Sequence, residues 1–107
     1  MKQDMKVKKR VREILKTVQK VSPGNSVELR IPPYDAIQCV SGSAHRRGTP
    51  PNVVEMSGDT LIELVSNPTY WDEFCHKGLI STSGTKANLK DLFTQVSKLD
   101  SSTRQGM

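Results

Sequence analysis

Few residues in this 107-residue chain carry reactive or anion-binding side chains: Cys39 and Cys75, His45 and His76, and a run from His45 through Arg46, Arg47, Gly48, Thr49, Pro50 and Pro51 to Asn52, with Glu55 three residues further on. Two adjacent guanidiniums present planar forks of donors that match a carboxylate or a phosphate, and a neighbouring histidine adds a group that titrates near neutral pH. Gly48 permits close backbone approach, and Pro50 and Pro51 hold the run extended. Read for function, the run is an anion-recognising lip, with His45, Arg46, Arg47, Thr49, Asn52 and Glu55 at the polar end of a ligand. Read for structure alone, the arginines form a solvated turn and Glu55 is a surface strand residue. Both readings stand at this point, and Glu55 is the nearest carboxylate to the arginines in either.

Catalysis has little to work with. A nucleophile needs an adjacent base and an orienting group, and the pairs on offer are Cys39 or Cys75 with His45 or His76. There is no G-x-S-x-G, no phosphate-binding loop and no arrangement of paired carboxylates. Cys75 and His76 are neighbours on a helix-like run and project about 100° apart, so they are poor candidates to share a metal ion. The expectation is a protein that is not an enzyme, with neither metal nor cofactor, whose two cysteines are small buried thiols.

The elements that must position these residues follow from periodicity. Val7, Val11, Ile14, Leu15 and Val18 fall on one stripe at helical pitch, opposite Lys2, Lys9, Arg12, Lys16 and Lys20, which predicts an amphipathic helix from about Asp4 to Lys20 ended by Ser22, Pro23 and Gly24. From Ser26 the period becomes two, with Val27, Leu29 and Ile31 on one face. A turn at Pro32–Asp35 leads to a returning strand over residues 36–41, and the 42–51 loop precedes a third strand at Asn52–Met56. Ser57, Asp59 and Thr60 are candidate N-caps for a helix carrying Leu61, Leu64 and Val65. Asn67-Pro68 breaks it, and a second short helix places Trp71, Phe74 and Cys75 together. A strand at Leu79–Ser83 and a last helix from about Thr85, with Leu89, Leu92, Phe93 and Val96 on one side, complete the order. The pattern predicts an α+β fold with a single, mostly antiparallel sheet covered on one face by helices, the first three strands being consecutive antiparallel neighbours. Three parts are expected: a basic amphipathic helix over 1–22 packed on the domain, an α+β body over 23–97 and a flexible polar tail over 98–107.

Charge narrows the function classes. Sixteen Lys and Arg stand against eleven Asp and Glu, for a net charge of +5. Residues 1–20 hold eight basic and two acidic side chains, and the remaining residues hold eight basic and nine acidic ones. The surplus therefore belongs to one helix, which is equally the solvent face of a packed helix, a membrane-surface helix or a docking element. With no aromatic residue beside those cations for base stacking and a slightly acidic body, nucleic acid is not expected as a partner. No apolar run approaches the roughly 20 residues that cross a bilayer, and none resembles a signal-peptide core. A cytoplasmic protein is the expectation.

The stretch Asn52-Val-Val-Glu-Met-Ser-Gly-Asp-Thr-Leu-Ile-Glu-Leu-Val65, then Trp71 to Phe74, Gly78-Leu-Ile-Ser-Thr-Ser-Gly84 and Leu89 to Phe93 resembles the C-terminal half of the sterol carrier protein-2 fold. Pro32-Pro33-Tyr34, Gln38-Cys39-Val40 and the run His45 to Glu55 resemble a small bacterial sterol-carrier-protein-like family, and the likeness spans roughly Pro23 to Phe93. The resemblance implies helices laid on one sheet face and an apolar interior able to take a fatty acyl or sterol-like molecule, hence a lipid binding or transfer module. The large side chains available to line such a pocket are Tyr34, Val54, Met56, Leu61, Trp71, Phe74 and Phe93, whose spacing is equally that of an ordinary core. The alternative is a protein-interaction or enzyme-helper module without a small ligand.

Overall fold

A computed structural model describes residues 4–42 and 52–105. The order is α1 (Met5–Val21), β1 (Val27–Ile31), β2 (Asp35–Cys39), β3 (Asn52–Met56), α2 (Gly58–Ser66), a 3₁₀ turn (Pro68–Tyr70), α3 (Trp71–His76), β4 (Ile80–Ser83) and α4 (Lys90–Gln105). Asp4 caps α1, its carboxylate accepting from the amides of Lys6 and Val7 at 2.9 and 3.2 Å. Of the three candidate caps for α2, Ser57 takes the role, accepting from the Thr60 amide at 3.1 Å.

The strands form one sheet in the order β2-β1-β3-β4. The tight turn at Pro32–Tyr34 makes β1 and β2 antiparallel, with Leu29 opposite Ile37, and β3 and β4 are antiparallel with Val54 opposite Thr82. The central pair differs from the expectation of three consecutive antiparallel strands: β3 lies on the far side of β1 from β2 and runs parallel to β1, Leu29 opposite Val54. A strand that followed β2 through a short hairpin would have to pair with β2. The ends of the long connection, Cys39 and Asn52, instead lie on either side of Val27, two strand spacings or about 10 Å apart. Val40, with φ of 67°, turns the chain out of the sheet at this point; its amide donates to Ser22 O and its carbonyl accepts from the Ser26 amide.

Alternation along β1 and β3 separates the two sheet faces. Val27, Leu29, Ile31, Val54 and Met56 are buried beneath the helices, whereas Arg30 and Glu55 face outward beside Gln38, Ser81 and Ser83. The helices close over the inner face with Val11, Ile14, Leu15 and Val18 from α1, Leu61, Leu64 and Val65 from α2, and Phe93 and Val96 from α4. The stripe of the first helix is thus part of the core, and Val7 packs at its margin. Gly58 lets α2 begin tight against α1, because a Cβ there would stand 2.8 Å from Val7 and 3.0 Å from the Tyr34 ring.

The last helix runs past the boundary expected at residue 97 and is helical through Gln105. The reason is Asp100, whose two carboxylate oxygens accept from the Arg10 guanidinium at 2.9 and 2.8 Å and bind the end of α4 to the middle of α1. Its start is later than expected, at Lys90; Ala87–Leu89 lie outside the helix, with Ala87 and Leu89 buried.

Candidate functional site

The polar candidates divide by place. His45, Arg46, Arg47 and Thr49 lie outside the described residues. Asn52, where the chain resumes, is 3% exposed at the first position of β3, and both ends of its amide are used. Its nitrogen donates to Ser26 O at 2.8 Å and its oxygen accepts from the Lys86 amide at 3.0 Å. Asn52 therefore fastens the starts of β1 and β3 to the segment leading into α4. At the other stem of the loop a Cβ on Gly42 would collide with Ser26 Oγ and come 2.6 Å from Lys86 Nζ, so only glycine passes there without displacing a neighbour. The loop carrying the arginines thus springs from a buried, hydrogen-bonded end of the sheet, with Lys86 close by.

Glu55 does not join this group. It lies on the outer face, 45% exposed, and its charged partner among the described residues is Arg30, directly across the β1–β3 register at 3.7 Å. Asn52 and Glu55 are on opposite sides of the sheet, as residues three apart on a strand must be.

The apolar candidates converge. Val54, Met56, Leu61, Trp71, Phe74 and Phe93 all belong to the single buried cluster between sheet and helices, and the Trp71 and Phe93 rings stack with centroids 6.1 Å apart. Tyr34 packs against the edge of this cluster, and its hydroxyl accepts from the Asp4 amide at 3.3 Å.

Neither cysteine is poised as a nucleophile. Burial pushes the Cys39 thiol up to about 11, and burial, aided by the Asp72 carboxylate, raises that of Cys75. Among the described residues no three His, Cys, Asp or Glu side chains gather where they would hold a metal ion.

A second polar feature lies on the helical side. Where α1, α2 and α4 meet there is a groove of about 570 Å³ lined by Ile62, Val65, Ser66, Ser97, Ser101 and the Arg10–Asp100 pair. The two charged side chains are only 18% and 17% exposed, and hydrogen bonding to Asp100 raises the Arg10 pKa further. Sequence reading did not find this pair, although a signal for it exists: Arg10 is in helical phase with Val7 and Ile14, and Asp100 with Phe93 and Val96. Opposite charges at stripe positions of two helices mark an inter-helix ion pair.

The mixed sheet with its polar outer face and the helical cover over an apolar interior define a two-layer α+β protein. A family profile described as a bacterial SCP ortholog matches residues 3–94. The chain belongs to this bacterial sterol-carrier-protein-like family. No curated protein matches the chain. Among the described residues no helix is long and apolar enough to cross a membrane.

Proposed function

We propose that this protein binds an apolar acyl or sterol-like molecule between its sheet and its helical layer, and carries it unchanged, without acting as an enzyme. Family membership over residues 3–94 is the observation that carries this reading. The fold supports the location. The inner layer from Val27, Leu29 and Val54 to Leu61, Trp71 and Phe93 is the continuous apolar region of the described residues, whereas the opposite sheet face bears Arg30, Glu55, Gln38 and two serines. The loop bearing His45, Arg46, Arg47 and Thr49 supplies the polar end, with Lys86 beside its stem. The proposed setting is the cytoplasm. Native mass spectrometry of protein purified from its own host, paired with displacement of a fluorescent fatty acid, tests the reading: a bound lipid mass is expected, and a clean apo mass with no fatty-acid binding overturns it.

A second reading, an interaction module, draws on α1. Lys6, Lys8, Lys9, Arg12, Lys16 and Lys20 form no ion pair with any described residue, in contrast to Arg10, Arg30, Lys77 and Lys90. Such an unopposed row suits an acidic protein partner. Because the apolar stripe of α1 is core, the informative variant is Lys9→Glu/Lys16→Glu on the outer face: loss of a salt-sensitive partner with an unchanged Tm supports this reading, and unchanged co-purification sets it aside.

A further inference from the structure

We infer that the seam where α1, α2 and α4 meet is the passage by which an apolar ligand reaches the interior, with the Arg10–Asp100 pair as the clasp that spans it. This rests on the carrier reading above, and four observations point to it.

First, the groove is large enough, about 570 Å³, to take a substantial part of a small amphiphile. Second, its floor is the core itself: Val65 is 1% exposed and Ile62 packs against the same cluster, so a single layer of side chains separates the groove from the interior. Third, the wall that must move is weakly held. Between Ser97 and Ser102 no residue is buried, the preceding buried residue being Val96, and Leu99 is 39% exposed. The bidentate contact of Asp100 with Arg10 is what fastens this overhang to α1, and it is the one ion pair between these two helices among the described residues. A helical segment with few apolar contacts opens at low free energy compared with the core. Fourth, Ser66, Ser97 and Ser101 line the groove without a side-chain hydrogen bond to another described residue, unlike Thr17 and Thr94, whose hydroxyls return to their own helices. These hydroxyls, with the outer edge of the clasp, offer donors and acceptors to a polar head group while its tail passes inward. Opening is therefore the lifting of the last turns of α4 from α1, with each charged group taking water in exchange for its partner.

The test is stopped-flow uptake of a fluorescent long-chain fatty acid by the full chain, compared across wild type, Asp100→Asn and Ser97→Trp, with hydrogen exchange of the α4 amides measured in parallel. Asp100→Asn is expected to speed uptake at least several-fold while leaving equilibrium affinity within about 3-fold, and to raise exchange in residues 97–105 while residues 90–96 keep their protection. Ser97→Trp, which fills the groove from its α4 wall while leaving the Arg10 and Asp100 side chains in place, is expected to slow uptake by about an order of magnitude. If both variants bind the probe at the wild-type rate, the passage is elsewhere and the carrier reading survives. Unchanged exchange in 97–105 of Asp100→Asn removes the clasp. Absence of probe binding by the wild type overturns the carrier reading and this inference together.

Discussion

Two borders of the apolar layer are fastened in opposite ways. At the loop end of the sheet, Asn52 holds Ser26 O and the Lys86 amide with two short neutral hydrogen bonds at 3% exposure, and Gly42 slips past Ser26 with no room to spare. At the helical seam the fastening is an ion pair at the edge of water, over a groove that already exists. A buried neutral hydrogen bond has no water to replace it, so breaking it strands a donor or an acceptor at full penalty. A charged pair at a wet border loses its partner and regains hydration, and its net contribution is small. The same layer is thus fixed at one border and releasable at the other. On the carrier reading proposed above, that asymmetry would let a ligand pass without unfolding the sheet that receives it.

The largest effect is expected at the fixed end. Asn52→Ala leaves the buried Ser26 carbonyl without a partner and passes the part-buried Lys86 amide to water, a loss of about 2–3 kcal/mol, which for a chain of this size lowers Tm by roughly 10 °C or more. Thermal melts check it; a shift below about 2 °C would mean that water enters this end freely and that the contrast between the borders is false. Gly42→Ala follows at about 1–2 kcal/mol, because the new methyl must displace Ser26 Oγ, while Lys86 Nζ, the end of a flexible chain, moves aside easily. Ser26→Gly in the Gly42→Ala background is expected to restore part of the loss, which separates overpacking from a backbone effect.

Cys39 reads the same border by its chemistry. It is fully buried opposite Val27, beside Ser26, and its thiol stays protonated up to about 11, whereas the ordinary value is 9.0. Between those values the unfolded chain releases a proton that the folded chain keeps. The stability from this site is thus complete below about pH 9 and is lost as pH rises through about 11. Cys39→Ala is expected to flatten that alkaline slope. At pH 8 a maleimide should label the half-buried Cys75 and leave Cys39 untouched. Labelling of both at similar rates would show the loop end to be the open one.

What the sequence conveyed of this arrangement is uneven, for physical reasons. The stripe Val11, Ile14, Leu15, Val18 and the alternation of Val27, Leu29, Ile31 are local periodicities, and local periodicity specifies which face is buried. The third strand was legible as a strand but not its neighbour, because pairing across a long connection is decided by where β3 finds a free edge and a continuous apolar face. The reach of α4 to Gln105 was not legible because residues 97–105 lack an apolar stripe, and the charge paired with Asp100 lies 90 residues away on α1. At the candidate site, Asn52 reads as one polar residue in a polar run, and its structural task becomes visible only when Ser26 and Lys86 stand beside it. All seven apolar candidates could be named, and six of them lie in the buried cluster, because bulk and spacing mark interior residues, whatever the interior holds.

The smallest effect is expected at the clasp, and its size decides how the two borders differ. With both side chains a little under one-fifth exposed, the Arg10–Asp100 pair lies between the exposed pairs that contribute about 0.2–1 kcal/mol and the buried ones whose disruption costs about 3–5 kcal/mol. Its bidentate geometry favours the upper part of the exposed range. Asp100→Asn keeps the shape and one acceptor, so a loss of about 1 kcal/mol or less is expected. Because the groove admits solvent ions to the pair, the wild-type advantage should shrink between low and high salt, whereas the Asn52→Ala loss should not change. Denaturant titrations of both variants at two ionic strengths measure this directly. A loss of 3 kcal/mol or more in Asp100→Asn, independent of salt, would mean that the pair is sealed like Asn52 and that the seam does not open.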